Sequence, residues 1–401
     1  MSQLSPAEPG GPGRVVVAGG GLAGLRTVEE LRARGYQGVV TLIGAEGRLP
    51  YDRPPLSKKL MTGELDDTTV RADLSPLGAQ LRLGEAATGL ADGVLRTDRG
   101  EYRFDRLALT TGARPVALPG TGRQRFLRTI DDALELRQLL LPGLRLAIVG
   151  AGWIGAELAT AAAARGCRVT VLEAAAAPLA AAVGAQVGSL TAGWYPAAGV
   201  ELRLGQLVES VEPGGLALAG GEWLAADEIV TAVGVRPDVC WLEGSGVALD
   251  NGIAVDESLR ATVPGVFAAG DCAAFWSLRY QRRLRFEHWD VALRAPAVLA
   301  ANLLGGTDAY DPVPYFWSEQ FGRMVQYAGF HSAADRMIIR GDPAGKRWAA
   351  CWLAGEALVA LLTVDSPRDL LQGRRMIESG LPVDAARLAD PQVPVRDAGL
   401  A

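Results

Sequence analysis

The sequence predicts an α/β fold: two Rossmann-type βαβ units followed by a C-terminal α+β domain. Three observations predict it. A short apolar strand runs into a glycine-rich turn and an amphipathic segment near the N-terminus. The same order returns at Leu144, and beyond residue 309 the texture changes to strand-like runs rich in aromatic and basic residues.

The first unit opens with RVVVA at Arg14–Ala18, then GGGLAG, the amphipathic stretch LRTVEELRARG and the strand VVTLI at Val39–Ile43. Strand, glycine turn, helix and strand within about 30 residues make one βαβ unit. In the second, Leu144–Val149 is the strand, GAGWIG the turn, Ala156–Arg165 the helix and Arg168–Leu172 the next strand. Two such units imply two separate dinucleotide sites. The C-terminal region carries strand-like runs at Met337–Arg340, Trp348–Leu353 and Leu358–Val364. The opening MSQLSPAEPGGPG lacks a basic stretch followed by an apolar core and reads as a flexible tail over residues 1–13. Ala174–Val200 has no charged residue, but Pro178, Pro196 and several glycines interrupt it. It is expected to be an Ala-rich helix with a flanking loop, since a membrane span needs about 20 strongly apolar residues.

Composition narrows the function. The net charge of −5 argues against a general nucleic-acid binder, which would be basic. The four cysteines, Cys167, Cys240, Cys272 and Cys351, are too scattered for a zinc site or a CxxC redox pair, so no metal is expected. Sparse cysteines suit a reducing, cytoplasmic setting.

In the first turn, Gly19, Gly21 and Gly24 serve the tight turn, the approach of a pyrophosphate and helix–strand packing. Leu22 and Ala23 begin a helix whose free N–H groups face the phosphates. Glu46, about 20 residues on, is the expected ribose ligand. In the second turn, Gly150, Gly152 and Gly155 repeat those roles, with Trp153 and Ile154 at the helix start. Glu173 follows the next strand. A carboxylate there accepts hydrogen bonds from both ribose hydroxyls and repels a 2′-phosphate, and Ala174–Ala177 offer no cation, which favours NADH over NADPH.

Residues 14–60, with PYDRPPLSK at 50–58, resemble the FAD-dependent NADH:ferredoxin reductases of haem monooxygenases and Rieske-type dioxygenases, which have a glutathione-reductase-like fold. The likeness continues through TTGARP (110–115), LRTIDDA (127–133), GAGWIGAE (150–157), VGVRPD (233–238), VFAAGDCA (266–273), FEHWDVA (286–292) and YFWSEQF (315–321). The resemblance implies a discontinuous FAD domain (14–115 and 241–309), an inserted NAD domain (116–240) and a C-terminal domain (310–401). Besides the first turn, it assigns FAD contacts to Glu46, Arg53, Lys58, Ala87, Thr111, Gly112, Arg128, Asp271 and Trp289. It assigns NAD contacts to the second turn, Glu157, Glu173 and Gly234. Three departures stand out: Ala45 where several relatives have Asp, Val291 where they have Asn, and no Arg in 174–183, which predicts weaker NADH binding.

The same resemblance implies a hydride site in which the Lys58 ammonium stabilises charge developing on the flavin. Glu157 would offset that charge and hold the nicotinamide carboxamide. Trp153 would shield the nicotinamide side as a gate, and Trp317 would stand at the electron exit. Arg279, Arg282, Arg283 and Arg285 of SLRYQRRLR could steer in an acidic partner. No CxxxxC pair is present, and Ser57 lies where related enzymes carry a reactive cysteine. The implied partner is a small ferredoxin, most readily of the 2Fe–2S type, with neither nucleic acid nor membrane involved and a monomer or weak homodimer expected. Two other functions fit the same residues: an NADH oxidase or quinone reductase, and a flavoprotein acting mainly by partner binding, like the apoptosis-inducing factors.

Overall fold

The structure is a computed structural model that describes residues 12–400. Most of the expected 1–13 tail therefore lies outside the described residues. The chain divides into two compact units. Residues up to Asp52, Thr68–Arg114 and Val235–Pro312 form the first; Arg53–Asp67, Pro115–Gly234 and the residues from Val313 onward form the second.

The first unit is built on a five-stranded parallel sheet in the order Val266–Ala268, Arg106–Leu109, Arg14–Ala18, Val39–Gly44, Gln80–Leu83. Val15, Val16, Val17 and Ala18 are all buried. A parallel strand covered on both faces needs such an unbroken apolar run, rather than the alternation of a half-exposed strand. The helix Leu22–Ala33 follows the central strand and packs against the helix Trp289–Leu303. Smaller sheets complete the unit. In one of them Ile253–Val255 pairs parallel with Ala273–Ser277, which pairs antiparallel with Arg282–Leu284.

The second unit repeats the theme with a four-stranded parallel sheet, Glu201–Leu204, Arg168–Glu173, Arg145–Val149, Glu228–Thr231. It also holds a five-stranded antiparallel sheet, ordered Tyr315–Gln320, Arg323–Gly329, Ala357–Val364, Trp348–Ala354, Arg336–Gly341. The helix Pro367–Ser379 packs Leu370, Met376 and Ile377 against Leu358 and Leu361 of that sheet. The other face of the sheet, with Val325, Trp348 and Leu362, meets Leu179, Val183, Val187 and Trp194.

Two expectations are corrected here. Both glycine-turn helices begin inside their motifs, at Leu22 and at Trp153 rather than Ala156, so their first turns are presented directly at the glycines. The Ala-rich segment is not one helix but three short ones, Ala180–Val183, Ala185–Ser189 and Trp194–Ala197. Gly184 takes φ +81° and ψ 151°, which no helix tolerates, and breaks the first from the second. Pro196 lies within the last. Among the described residues no helix is long and apolar enough to cross a membrane.

Candidate functional site: two glycine turns and a buried ion pair

The first turn owes its shape to three glycines with different duties. A Cβ on Gly19 (φ +125°) would lie 2.1 Å from the Thr110 carbonyl oxygen, and one on Gly24 1.9 Å from the Gly19 carbonyl oxygen. Those two positions admit nothing larger. A Cβ on Gly21 would meet nothing within 4 Å, so it faces open space. Gly21 is also the N-cap residue of Leu22–Ala33, which has no side-chain cap and no acid in its first turn. An uncapped helix N-terminus behind an open glycine offers N–H donors and a favourable dipole to an anion, as a pyrophosphate requires.

The first unit also carries other residues expected to contact FAD. Ala23 is buried, with its Cβ 3.2 Å from where a Gly270 Cβ would stand, so the loop carrying Asp271 abuts the helix start. Thr110 Oγ1 donates to the carbonyls of Ala18 and Gly19, and Thr111 Oγ1 to that of Asp238 at 2.8 Å. Gly112 is left-handed at φ +75°. Glu46 is half-buried and accepts a 2.5 Å hydrogen bond from Tyr51 Oη. The Trp289 indole N–H donates to Asp52 at 2.9 Å, and Ala87 opens the strand Ala87–Ala91.

The second turn has the same construction. Cβ atoms on Gly150 (φ +104°) and Gly155 would sit 2.5 Å from the Ala232 carbonyl oxygen and 2.0 Å from that of Gly150, while one on Gly152 would meet nothing. The helix Trp153–Ala164 is likewise uncapped and free of first-turn acids. Glu173 accepts from the Ala151 N–H and from the Ala175 N–H, both at 2.8 Å, which fixes its carboxylate at the mouth of the turn. Gly234 is left-handed at φ +108°. Ile154 is exposed. Trp153, expected as a gate, packs edge-on against Phe316 with ring centroids 4.5 Å apart.

Lys58 and Glu157, distant in sequence, form a largely buried ion pair, with Nζ 2.7 Å from Oε2 and side chains 12% and 4% exposed. Lys58 Nζ also lies 3.3 Å from the Pro54 carbonyl. Arg53 donates to the backbone carbonyl of Arg128. The LRTIDDA motif is a helix start. Thr129 and Asp132 cap the helix Ile130–Leu139 reciprocally, and the Asp132 carboxylate also accepts from the Arg128 N–H.

The arginines of the first unit do not act alike. Arg283 donates to the Val255 and Ala274 carbonyls at 2.6 and 2.9 Å, and Arg285 to the Asp271 carbonyl and the Glu287 carboxylate. Arg279 and Arg282 are exposed on the hairpin. In the second unit Trp317 stacks on Tyr315, whose ring lies under the Arg374 guanidinium at 5.5 Å. Residues of the helix Pro367–Ser379, together with Arg396, line a cavity of about 460 Å³ that carries Arg368, Leu371, Arg375 and Met376.

Sequence reasoning missed two hydroxyls beside the ion pair. Ser57 and Ser318 both donate to Glu157. Both lie inside quoted motifs, and strand alternation in YFWSEQ already separates Ser318 from Trp317.

All four cysteines are free. Burial pushes Cys272 up to about 11 and Cys351 to about 12, and raises Cys167 as well, so none of the three carries a ready thiolate near neutral pH.

Two glycine turns, each at an uncapped helix and each followed by an acid, define an oxidoreductase of the two-dinucleotide class without a disulfide relay. The chain belongs to the pyridine nucleotide-disulphide oxidoreductase family, whose model matches residues 13–295, and a reductase C-terminal domain matches 315–399. It is 36% identical to the ferredoxin–NAD(+) reductase component of an anthranilate 1,2-dioxygenase system from Burkholderia cepacia, covering 94% of this chain and 97% of that one. The crystal structure of Fdr9 is 48% identical, with a TM-score of 0.92 over 95% of this chain and 99% of that one. The reductase in a covalent putidaredoxin reductase–putidaredoxin complex is 30% identical, with a TM-score of 0.92 over 96% and 97%.

Proposed function

We propose that this chain is an FAD-containing, cytoplasmic NADH:ferredoxin oxidoreductase that supplies a small 2Fe–2S ferredoxin serving an oxygenase. The observation that carries the reading is the pair of uncapped glycine turns in which only the middle glycine faces open space. The activities of the relatives supply the electron acceptor. FAD, when bound, takes two electrons from NADH and yields them singly to an iron–sulfur centre.

The chain's own residues have separable tasks. The first turn, with Glu46, Asp271 and Trp289, holds FAD; the second, with Glu173, holds NADH. Lys58 places a fixed positive charge where negative charge develops, and preorganisation makes such a charge effective. Trp317 stands at the exit. An acidic partner has two basic surfaces to meet, the exposed Arg279 and Arg282 or the cavity with Arg368, Arg375 and Arg396. Replacing each set with Gln should flatten the salt dependence of ferredoxin reduction for whichever set docks the partner.

The test is the purified protein. It should be yellow, bind FAD tightly and be reduced by NADH in preference to NADPH. A protein that neither carries nor takes up flavin overturns the proposal. Rapid NADH consumption with no protein acceptor would point instead to an oxygen- or quinone-reducing oxidase.

A further inference from the structure

The Glu157 carboxylate is surrounded. Its Oε2 accepts from Lys58 Nζ at 2.7 Å and from Ser57 Oγ; its Oε1 accepts from Ser318 Oγ at 2.6 Å and from the Glu319 N–H at 3.3 Å. An ionised carboxylate offers about four acceptor sites, and all are taken. It has none left for a nicotinamide carboxamide. Ser57, Glu157, Ser318 and Gln320 are each less than a tenth exposed, so water does not compete for these bonds.

The direction of the Ser318 bond is fixed as well. Gln320 Nε2 donates to Ser318 Oγ at 3.0 Å, so the single hydroxyl proton is free to point at Glu157. A second tie, from the Phe321 N–H to Thr160 Oγ1 at 3.0 Å, holds the strand to the helix that bears Glu157. Three chain segments therefore converge on one carboxylate: the PPLSK turn, the helix of the second glycine turn and the strand carrying Trp317.

We propose that Ser318, oriented by Gln320, is a positioning residue that locks Glu157, and that Glu157 in turn serves to fix the Lys58 ammonium rather than to bind the carboxamide. This rests on the reading that Lys58 acts in flavin reduction. A locked carboxylate gives Lys58 one geometry. Without the Ser318 bond, Oε1 keeps only the long bond from the Glu319 N–H, and the carboxylate can turn.

Two measurements decide it together. In anaerobic stopped flow with saturating NADH, Ser318→Ala should lower the limiting rate of flavin reduction about tenfold, the worth of one charge-assisted hydrogen bond. The NADH concentration giving half that rate should stay unchanged, and Ser318→Thr should keep the wild-type rate. In a Lys58→Met background, Ser318→Ala should add no further slowing, because its effect passes through Lys58. In the flavin-free protein, amine acetylation followed by peptide mass spectrometry should show Lys58 reacting faster in Ser318→Ala than in wild type, with exposed Lys59 as the internal standard. The proposal stands only if both readouts move. A wild-type reduction rate, an equal slowing in the Lys58→Met background, or unchanged Lys58 labelling overturns it. Should Ser318→Ala fail to fold, Ser57→Ala probes the other carboxylate oxygen by the same two readouts. A wild-type protein that takes up no flavin defeats the proposed function instead, and labelling alone then decides the positioning.

Discussion

The two glycine turns share a blueprint but place their acids differently. Gly19 and Gly150 each make the strand-end contact, their N–H groups donating to the carbonyls of Ile43 and Leu172 at 2.8 and 2.7 Å. The next residue along each second strand is Gly44 in one unit and Glu173 in the other. In the first unit Gly44 packs against Gly20, where a Cβ would come within 3.0 Å of the Gly44 Cα. In the second, Ala151 takes the place of Gly20, and its N–H anchors the Glu173 carboxylate. The first unit sets its acid, Glu46, two residues further along the chain and bonds it to Tyr51 instead. The same fold thus holds the acid proposed to bind a ribose rigidly at the turn in the second unit and sets it back from the turn in the first. That suits an exchangeable nicotinamide cofactor in the second and a resident one in the first.

The shared part of the blueprint gives the largest expected effects. Gly24→Ala and Gly155→Ala each force a Cβ to within about 2 Å of a turn carbonyl. Each should destabilise its unit by about 3 kcal/mol or more, an overpacking that the backbone cannot relieve cheaply, read by urea unfolding. An unchanged unfolding midpoint would break the comparison at its root.

The open glycines separate the two cofactors. Gly21→Ala should leave the fold intact and weaken FAD binding by about a hundredfold, giving colourless protein, since the added methyl meets only the ligand. Gly152→Ala should leave the protein yellow and raise the NADH requirement. If either substitution affects both cofactors equally, the assignment of one turn to each is wrong.

Glu173 sharpens the difference further. Glu173→Ser combined with Ala174→Arg should move the NADPH-to-NADH ratio of kcat/KM upward by about tenfold or more, by removing the 2′-phosphate repulsion and adding a bidentate donor. Glu46→Ser should not alter that ratio.

The smallest effect concerns acid. Each unit has one of the two histidines. Burial pushes His288 down to about 4, against a weaker opposing pull from Asp271, and burial also lowers His331. A histidine buried neutral contributes stability that is complete above its unfolded value of about 6.5 and is lost as pH falls through the window down to its folded value. Thermal stability should therefore decline from pH 6.5 toward pH 4. His288→Gln should flatten that decline more than His331→Gln does. Equal slopes in wild type and His288→Gln would remove the histidine from the account.

Much of the fold was legible because its signals are local. Gly-rich turns, unbroken apolar strands and an acid at a strand end each act within one βαβ unit, and the structure reproduces them with boundaries shifted by a few residues. The Ala-rich segment was misjudged because alanine favours helix, while Gly184 and the prolines decide where a helix can run. The candidate site was legible only in part. The Lys58–Glu157 contact spans 99 residues and came from resemblance, not from spacing. Ser57 and Ser318 carried no signal of their own, since a serine hydroxyl takes its meaning from its neighbour. Charge counting overstated the hairpin as well. Arg283 and Arg285 turn back on main-chain carbonyls, and sequence alone does not say which arginines do so.

The most direct test of the central claim follows the electrons out. The flavin-loaded protein, reduced anaerobically with one equivalent of NADH, is mixed with an oxidised 2Fe–2S ferredoxin, and the bleaching of the iron–sulfur chromophore is followed. Two electrons leave each NADH, so two ferredoxins should be reduced per NADH consumed. Reduction of dyes, quinones or oxygen with no bleaching of any 2Fe–2S ferredoxin, including one encoded beside an oxygenase, would contradict the account.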